Sequence, residues 1–148
     1  MELYSKMSEK RVFVVITAAI PKTGLNSLAA KVSYVCLRAS RADNLSQMVQ
    51  QMQKPIVYGI ECNIKTSVVD IELTGEYNDN VQEVYVVVAT SIPTKKGKNP
   101  SRIKIHGVYT DPQKAQQVQM EIQGKKTNIK GEDCMIHSSI VPTKLDKE

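Results

Sequence analysis

Five cations lie close together in this chain, at Lys95, Lys96, Lys98, Arg102 and Lys104, with no acidic residue between Glu83 and Asp111. The stretch Thr94-Lys95-Lys96-Gly97-Lys98-Asn99-Pro100-Ser101 carries the Gly, Asn and Pro of a long hairpin loop. Loops that set lysines beside accessible backbone amides suit phosphate groups, through charge and counterion release. A second cluster, Lys125, Lys126 and Lys130, follows a helical stretch. His106 alternates outward with Arg102 and Lys104, and Tyr109 ends the same strand, so the two would add a polar ring and a base-stacking surface. The bland alternative is a solvated hairpin tip kept soluble by lysine, the commoner use of such runs.

Other chemistry is poorly advertised. Cys134-Met135-Ile136-His137 has the spacing of a metal-binding pair, but a structural zinc needs four ligands and no second pair is suitably spaced. No metal site is therefore expected. No nucleophile with a base, paired carboxylates, GxGxxG or phosphate-binding loop stands out, and Gly24 and Gly97 belong to none of these. The chain reads as non-enzymatic and without a cofactor.

The elements that would position the cations occur twice. Val12-Phe13-Val14-Val15-Ile16, running on to Ile20-Pro21, is answered by Val84-Tyr85-Val86-Val87-Val88 and Ile92-Pro93, an offset of 84 − 12 = 72 residues. At the same offset Glu61–Val69 is answered by Asp133–Val141, so that Cys62 matches Cys134 and Thr66-Ser67 matches Ser138-Ser139. Two distant blocks sharing one offset point to duplication of a single unit. In the second copy, Val84–Thr90 and the alternating Arg102–Thr110 read as strands. Asp111-Pro112 caps and starts a helix with Ala115, Val118 and Ile122 on one face, and Gly124 stops it. A polar linker then leads to the strand Cys134–Val141.

In the first copy Arg11–Ile20 and Cys62–Leu73 match the outer strands. Asp43-Asn44 opens a helix with Leu45, Met48, Val49 and Met52 on its apolar face. Leu25–Arg38 also fits a helix by periodicity, yet the repeat makes Lys31–Arg38 a strand. Pro55–Ile60 adds a short extra strand. The expected fold is α+β, a duplicated ββαβ unit in a mixed sheet of about six strands with two helices. The paired Thr/Ser residues should make cross-strand hydrogen bonds.

At 148 residues the chain suits one domain, with copies at 10–74 and 82–146 sharing a core. The net charge of +5 is mild, and the odd cysteine count (Cys36, Cys62 and Cys134, without CxxC spacing) suggests a reduced, cytoplasmic setting. The start lacks a signal-peptide core, and the apolar run Val12–Ile20 is too short to span a bilayer. Val12–Ile16 and Val84–Val88 are apolar on both faces, with Phe13 and Tyr85 as equivalent core aromatics. Stacked copies or a second subunit must cover the extra face, and a homo-oligomer is the favoured expectation.

Tyr85-Val86-Val87 and Ile105-His106-Gly107-Val108-Tyr109-Thr110-Asp111-Pro112-Gln113-Lys114-Ala115 resemble a pattern in small uncharacterised β-β-α proteins of bacteriophages and mobile elements. The likeness covers about Glu83–Gln123, implies a compact β-β-α element of viral or mobile-element origin, and transfers no catalytic residue. Gly24-Leu25-Asn26-Ser27-Leu28-Ala29-Ala30, after the strand Arg11–Ile20, is similar to peptidyl-tRNA hydrolase 2-type folds, which implies a helix over Leu25–Arg38. The leading expectation is a small non-enzymatic binding or assembly module that self-associates through a sheet face, with a protein partner. The alternatives are sequence-independent nucleic-acid or phosphate-ligand binding through the basic hairpin, and a hydrolase of the second family.

Overall fold

The computed structural model describes residues 10–21, 29–51, 56–57, 59–94, 102–129 and 131–148. These form ten elements: β1 (Arg11–Pro21), β2 (Ala29–Cys36), α1 (Ala39–Gln50), β3 (Ile56–Val57), β4 (Ile60–Thr74), β5 (Glu83–Pro93), β6 (Arg102–Tyr109), α2 (Pro112–Ile122), β7 (Lys126–Ile129) and β8 (Glu132–Asp146). The fold is α+β and its ladders are mixed, as expected. Eight strands stand where about six and a short extra one over Pro55–Ile60 were expected; β3 falls in that stretch, and β7 is the unexpected addition. They group into two compact units. The N unit comprises Arg11–Glu72 with Lys144–Glu148, and the C unit comprises Leu73–Thr143 with Lys10.

In the N unit β1 is antiparallel to both β2 and β4. Val15 pairs with Tyr34 but Ile16 with Val32, so Ser33 is the extra residue of a β-bulge. The end of β8 adds a parallel ladder, Val35 opposite Leu145 and Cys36 opposite Asp146. β2 is a strand, so the helix that the peptidyl-tRNA hydrolase likeness implies is absent over Ala29–Cys36, while residues 25–28 lie outside the described ones. A strand here supplies ladder partners on both of its sides, which local periodicity does not register.

α1 begins at Ala39, not at Asp43-Asn44, and Arg38 precedes it without a side-chain cap. Its buried face is Ala42, Leu45 and Val49, whereas Met48 is 52% exposed. Starting the helix earlier puts Ala42 on the inner face; Met52 lies outside the described residues. Val15, Cys36, Ala42 and Leu45 form the core under α1, with Phe13, Tyr34 and Val68 packed around them.

Beside this core Arg41 Nε binds Asp146 Oδ2 at 3.2 Å. Burial pushes the Cys36 thiol from 9.0 up to about 11, with Asp146 adding to the rise and Arg41 opposing it. A folded-state pKa above the unfolded one means that the thiol's contribution to stability is complete below about pH 9 and is lost as the pH rises toward 11. Urea midpoints are expected to fall more steeply across that window for the natural chain than for Cys36→Ala. Parallel curves would rule the thiol out.

In the C unit β5 and β6 are antiparallel. Val87 pairs with Gly107 and Val88 with Ile105, leaving His106 as the bulge residue. The end of β4 is parallel to β6, Leu73 opposite Val108 and Thr74 opposite Tyr109. β8 lies beside β5, and β7 pairs antiparallel with β8 where a polar linker was expected. α2 forms as its sequence demands: Asp111 Oδ1 accepts from Gln113 N at 2.9 Å, Pro112 starts the helix, and Ala115, Val118 and Ile122 are buried. Gly124, at φ +78°, terminates it, and its N–H donates to Ile136 O at 2.8 Å.

The valine runs are buried on both faces within a single chain. Val12, Val14, Val15, Val84, Val86 and Val87 are all 0% exposed. The expected homo-oligomer rested on a sheet face left open, and these residues leave none, so that argument lapses. Among the described residues, no helix is long and apolar enough to cross a membrane.

Candidate ligand groove and its cations

Lys104 and His106 are exposed on β6, and Lys125 and Lys126 are exposed where α2 gives way to β7. Lys95, Lys96, Lys98 and Lys130 lie outside the described residues, and of Arg102 only the backbone, at the start of β6, is described. Tyr109 is not a stacking surface. It is 8% exposed, inside the core under α2 with Val87, Ala89 and Ala115. Its ring lies over Gly107, where a Cβ would sit 2.6 Å from the phenol oxygen, so glycine at 107 makes room for the aromatic. Burial, and then Glu121, push the Tyr109 hydroxyl pKa up.

Thr94, the last residue before the basic segment 95–101, donates its N–H to Asp133 O at 3.0 Å, and its hydroxyl reaches the same oxygen at 3.3 Å. Asp133 pairs with Asn128 of β7, and two residues along β8 Met135 pairs with Lys126. The chain therefore enters its most basic segment beside the hairpin that carries Lys126.

Next to this junction is an open groove of about 370 Å³. Ile92 and Thr94 contribute from the end of β5, Gln123 from the end of α2, and Met135, Ile136 and His137 from β8. Ile92 and Met135 are each 43% exposed. Its walls are mostly apolar, with few polar groups.

Gln123 is held by Ser138, the one buried polar residue among those described, at 4% exposure. Ser138 N–H donates to Gln123 Oε1 at 2.7 Å. The single hydroxyl proton of Ser138 goes either to the same oxygen at 2.7 Å or to Gln119 O at 2.9 Å. Gln119 Nε2 donates to Ser138 Oγ at 3.0 Å. A backbone N–H needs an acceptor, so the orientation of the Gln123 amide is fixed by chemistry. Its Nε2 is left with no acceptor among the described residues.

In the N unit Thr66 Oγ1 meets Ser46 Oγ at 2.6 Å and donates to Gln50 Oε1 at 2.7 Å. Thr66 and Ser138 thus tie strand to helix, not strand to strand as expected. Helical side chains at i and i+4 stack on one face, which brings Ser46 with Gln50 and Gln119 with Gln123 to a single strand residue. Ser138→Ala removes a buried hydroxyl and strips Gln119 of a partner, which should cost about 1–3 kcal/mol. Thr66→Ala, half-buried, should cost less, with the difference read from urea midpoints.

The site residues that sequence reasoning missed are Ile92, Gln123, Met135 and His137. The i, i+4 glutamines were a visible signal; the exposure of Ile92 and Met135 was not. Comparison with protein-family models, with curated proteins and with solved structures finds no match.

Proposed function

We propose that this chain is a non-enzymatic binding module, built by duplicating a ββαβ unit, that holds a phosphate-bearing polyanion at the lysine-bearing end of the C unit. The observation that carries the reading is the junction of Thr94 with Asp133, which starts the basic segment beside the β7–β8 hairpin. Exposed Lys125 and Lys126 lie on that hairpin side, and Lys95, Lys96, Lys98 and Arg102 belong to the segment by sequence.

The duplication is supported by three correspondences. The bulge at Val15/Ile16 has a counterpart at Val87/Val88, with 87 − 15 = 72. The parallel pair Val35–Leu145 corresponds to Val108–Leu73, the offsets being 108 − 35 = 73 and 145 − 73 = 72. Thr66 and Ser138 bind their helices at matching positions. By sequence the basic segment lies in one copy only, as specialisation after duplication would have it.

The test is fluorescence anisotropy with single- and double-stranded DNA and RNA over a salt series. Affinity should fall with salt at a slope of about −0.7 per phosphate contact on single strands. Changing Lys95, Lys96, Lys98 and Arg102 together to Ala should flatten that slope by roughly two to three units. An unchanged affinity and slope would dismiss the basic segment as a ligand surface.

A further inference from the structure

We infer that the groove between the ends of β5 and α2 and the start of β8 is a base-binding subsite, which makes the polyanion a single-stranded nucleic acid. The inference rests on the polyanion reading above and adds to it a ligand class and a set of residues.

Three features of the groove point this way. Its volume of about 370 Å³ is in the range of sites for small planar ligands, and it is open, so a bound group can remain joined to a longer chain. Its walls, Ile92 and Met135, offer apolar area to the face of a ring, while His137 offers a second ring. Its polar contribution is a neutral donor: Ser138 pins the Gln123 oxygen, so the Gln123 amide presents N–H to whatever enters. Every nucleobase carries a carbonyl or ring-nitrogen acceptor at its edge, so such a donor suits binding that tolerates many sequences.

The placement of charge separates a nucleotide from an acidic peptide. Lys126 is the ladder partner of Met135, and Lys125 O accepts from Ile136 N at 2.8 Å, so both lysines flank the groove and do not line it. An acidic side chain carries its charge at its tip and would seek a cation inside the pocket. A nucleotide carries a neutral, flat group on a charged backbone, which matches an apolar groove with lysines at its side. A base in a duplex is stacked and paired and cannot enter, so the site selects unpaired strands.

The experiment compares a fluorescent oligothymidylate with an abasic phosphodiester strand of the same length and charge. The thymidine strand should bind roughly tenfold more tightly. In Met135→Ala and Ile92→Ala, both at exposed positions that the fold tolerates, that advantage should shrink several-fold at an unchanged salt slope. Gln123→Glu keeps an acceptor for Ser138 but not the donor, and it should lower thymidine binding more than abasic binding. Equal affinity for the two strands, or equal affinity for duplex, would overturn the base subsite while leaving the polyanion reading intact. Loss of all strand binding in the natural chain would overturn both. Tight binding of polyglutamate, weakened by Met135→Ala, with no binding of oligothymidylate, would assign the groove to an acidic peptide and overturn the inference.

Discussion

Val86→Asp is expected to abolish the fold. Val86 is 0% exposed and pairs with Val108, also 0% exposed, while its chain neighbour Val87, on the opposite strand face, is equally buried. The residues beside it on the same strand face, Val84 and Val88, and its ladder partner Val108 are buried and apolar, so none of them can meet a carboxylate. Leaving a buried charge uncompensated costs about 3–5 kcal/mol or more, comparable with the whole stability of a small domain. A graded series makes the test sharp. Gln116→Asp, on the exposed face of α2, should shift the urea midpoint by no more than about 0.5 kcal/mol equivalent. Val86→Thr keeps the shape but buries a hydroxyl and should cost about 1–3 kcal/mol. Val86→Asp should show no cooperative unfolding transition by circular dichroism. A normal transition for that variant would contradict the two-sided burial of β5.

The second large effect is expected at Gly75, just past β4. Its φ of +111° lies where side chains are strained, and a Cβ there would collide with Thr110 Oγ1. The Thr110 backbone is held by its N–H, which donates to Thr74 O at 3.0 Å, so relief would have to come from turning the side chain. Backbone strain of this kind costs about 1–3 kcal/mol, and the collision adds to it. Gly75→Ala should therefore lower stability well beyond Gly124→Ala or Gly131→Ala, where φ is also positive but no atom lies within 4 Å. Those two should cost about 1–2 kcal/mol from backbone strain alone. Thr110→Ala removes the colliding oxygen and leaves its own Cβ at 3.4 Å, so it should be mild alone and should rescue part of the Gly75→Ala loss. Additive losses in the double variant would mean that φ, and not the collision, governs the position.

How far the sequence foretold this structure depended on the range of each signal. Asp111-Pro112 and the Ala115, Val118, Ile122 face needed only local rules, and α2 forms as they dictate. β2 was locally ambiguous, and only the comparison of the two valine-led segments favoured a strand over the helical pattern. α1 was misplaced because a visible Asp43-Asn44 cap attracted the start, whereas the helix begins at Ala39 without any side-chain cap. The candidate site was half legible. Charge is readable from composition, so the lysines could be singled out as candidates. Tyr109 was misjudged because its burial depends on Gly107 and α2, which are brought to it by the fold. The groove joins residues from 92 to 137, and no local pattern could announce that convergence.

The N unit begins at Arg11 yet includes Lys144–Glu148, and Leu145 is only 3% exposed there. During synthesis, residues 11–72 leave the ribosome without the strand segment that pairs with Val35 and Cys36. They must wait, with that edge open, until residues 144–148 have been made. The C unit also needs β8, up to Thr143, but its β4–β6 ladder can form earlier, because β4 is already present when β6 appears. Both units are therefore completed only by β8, and the earlier-made one waits the longer for it. Closing so long a loop also makes folding slow for a chain of this size. A protease or chaperone acting on the nascent protein would meet the N unit in its open form.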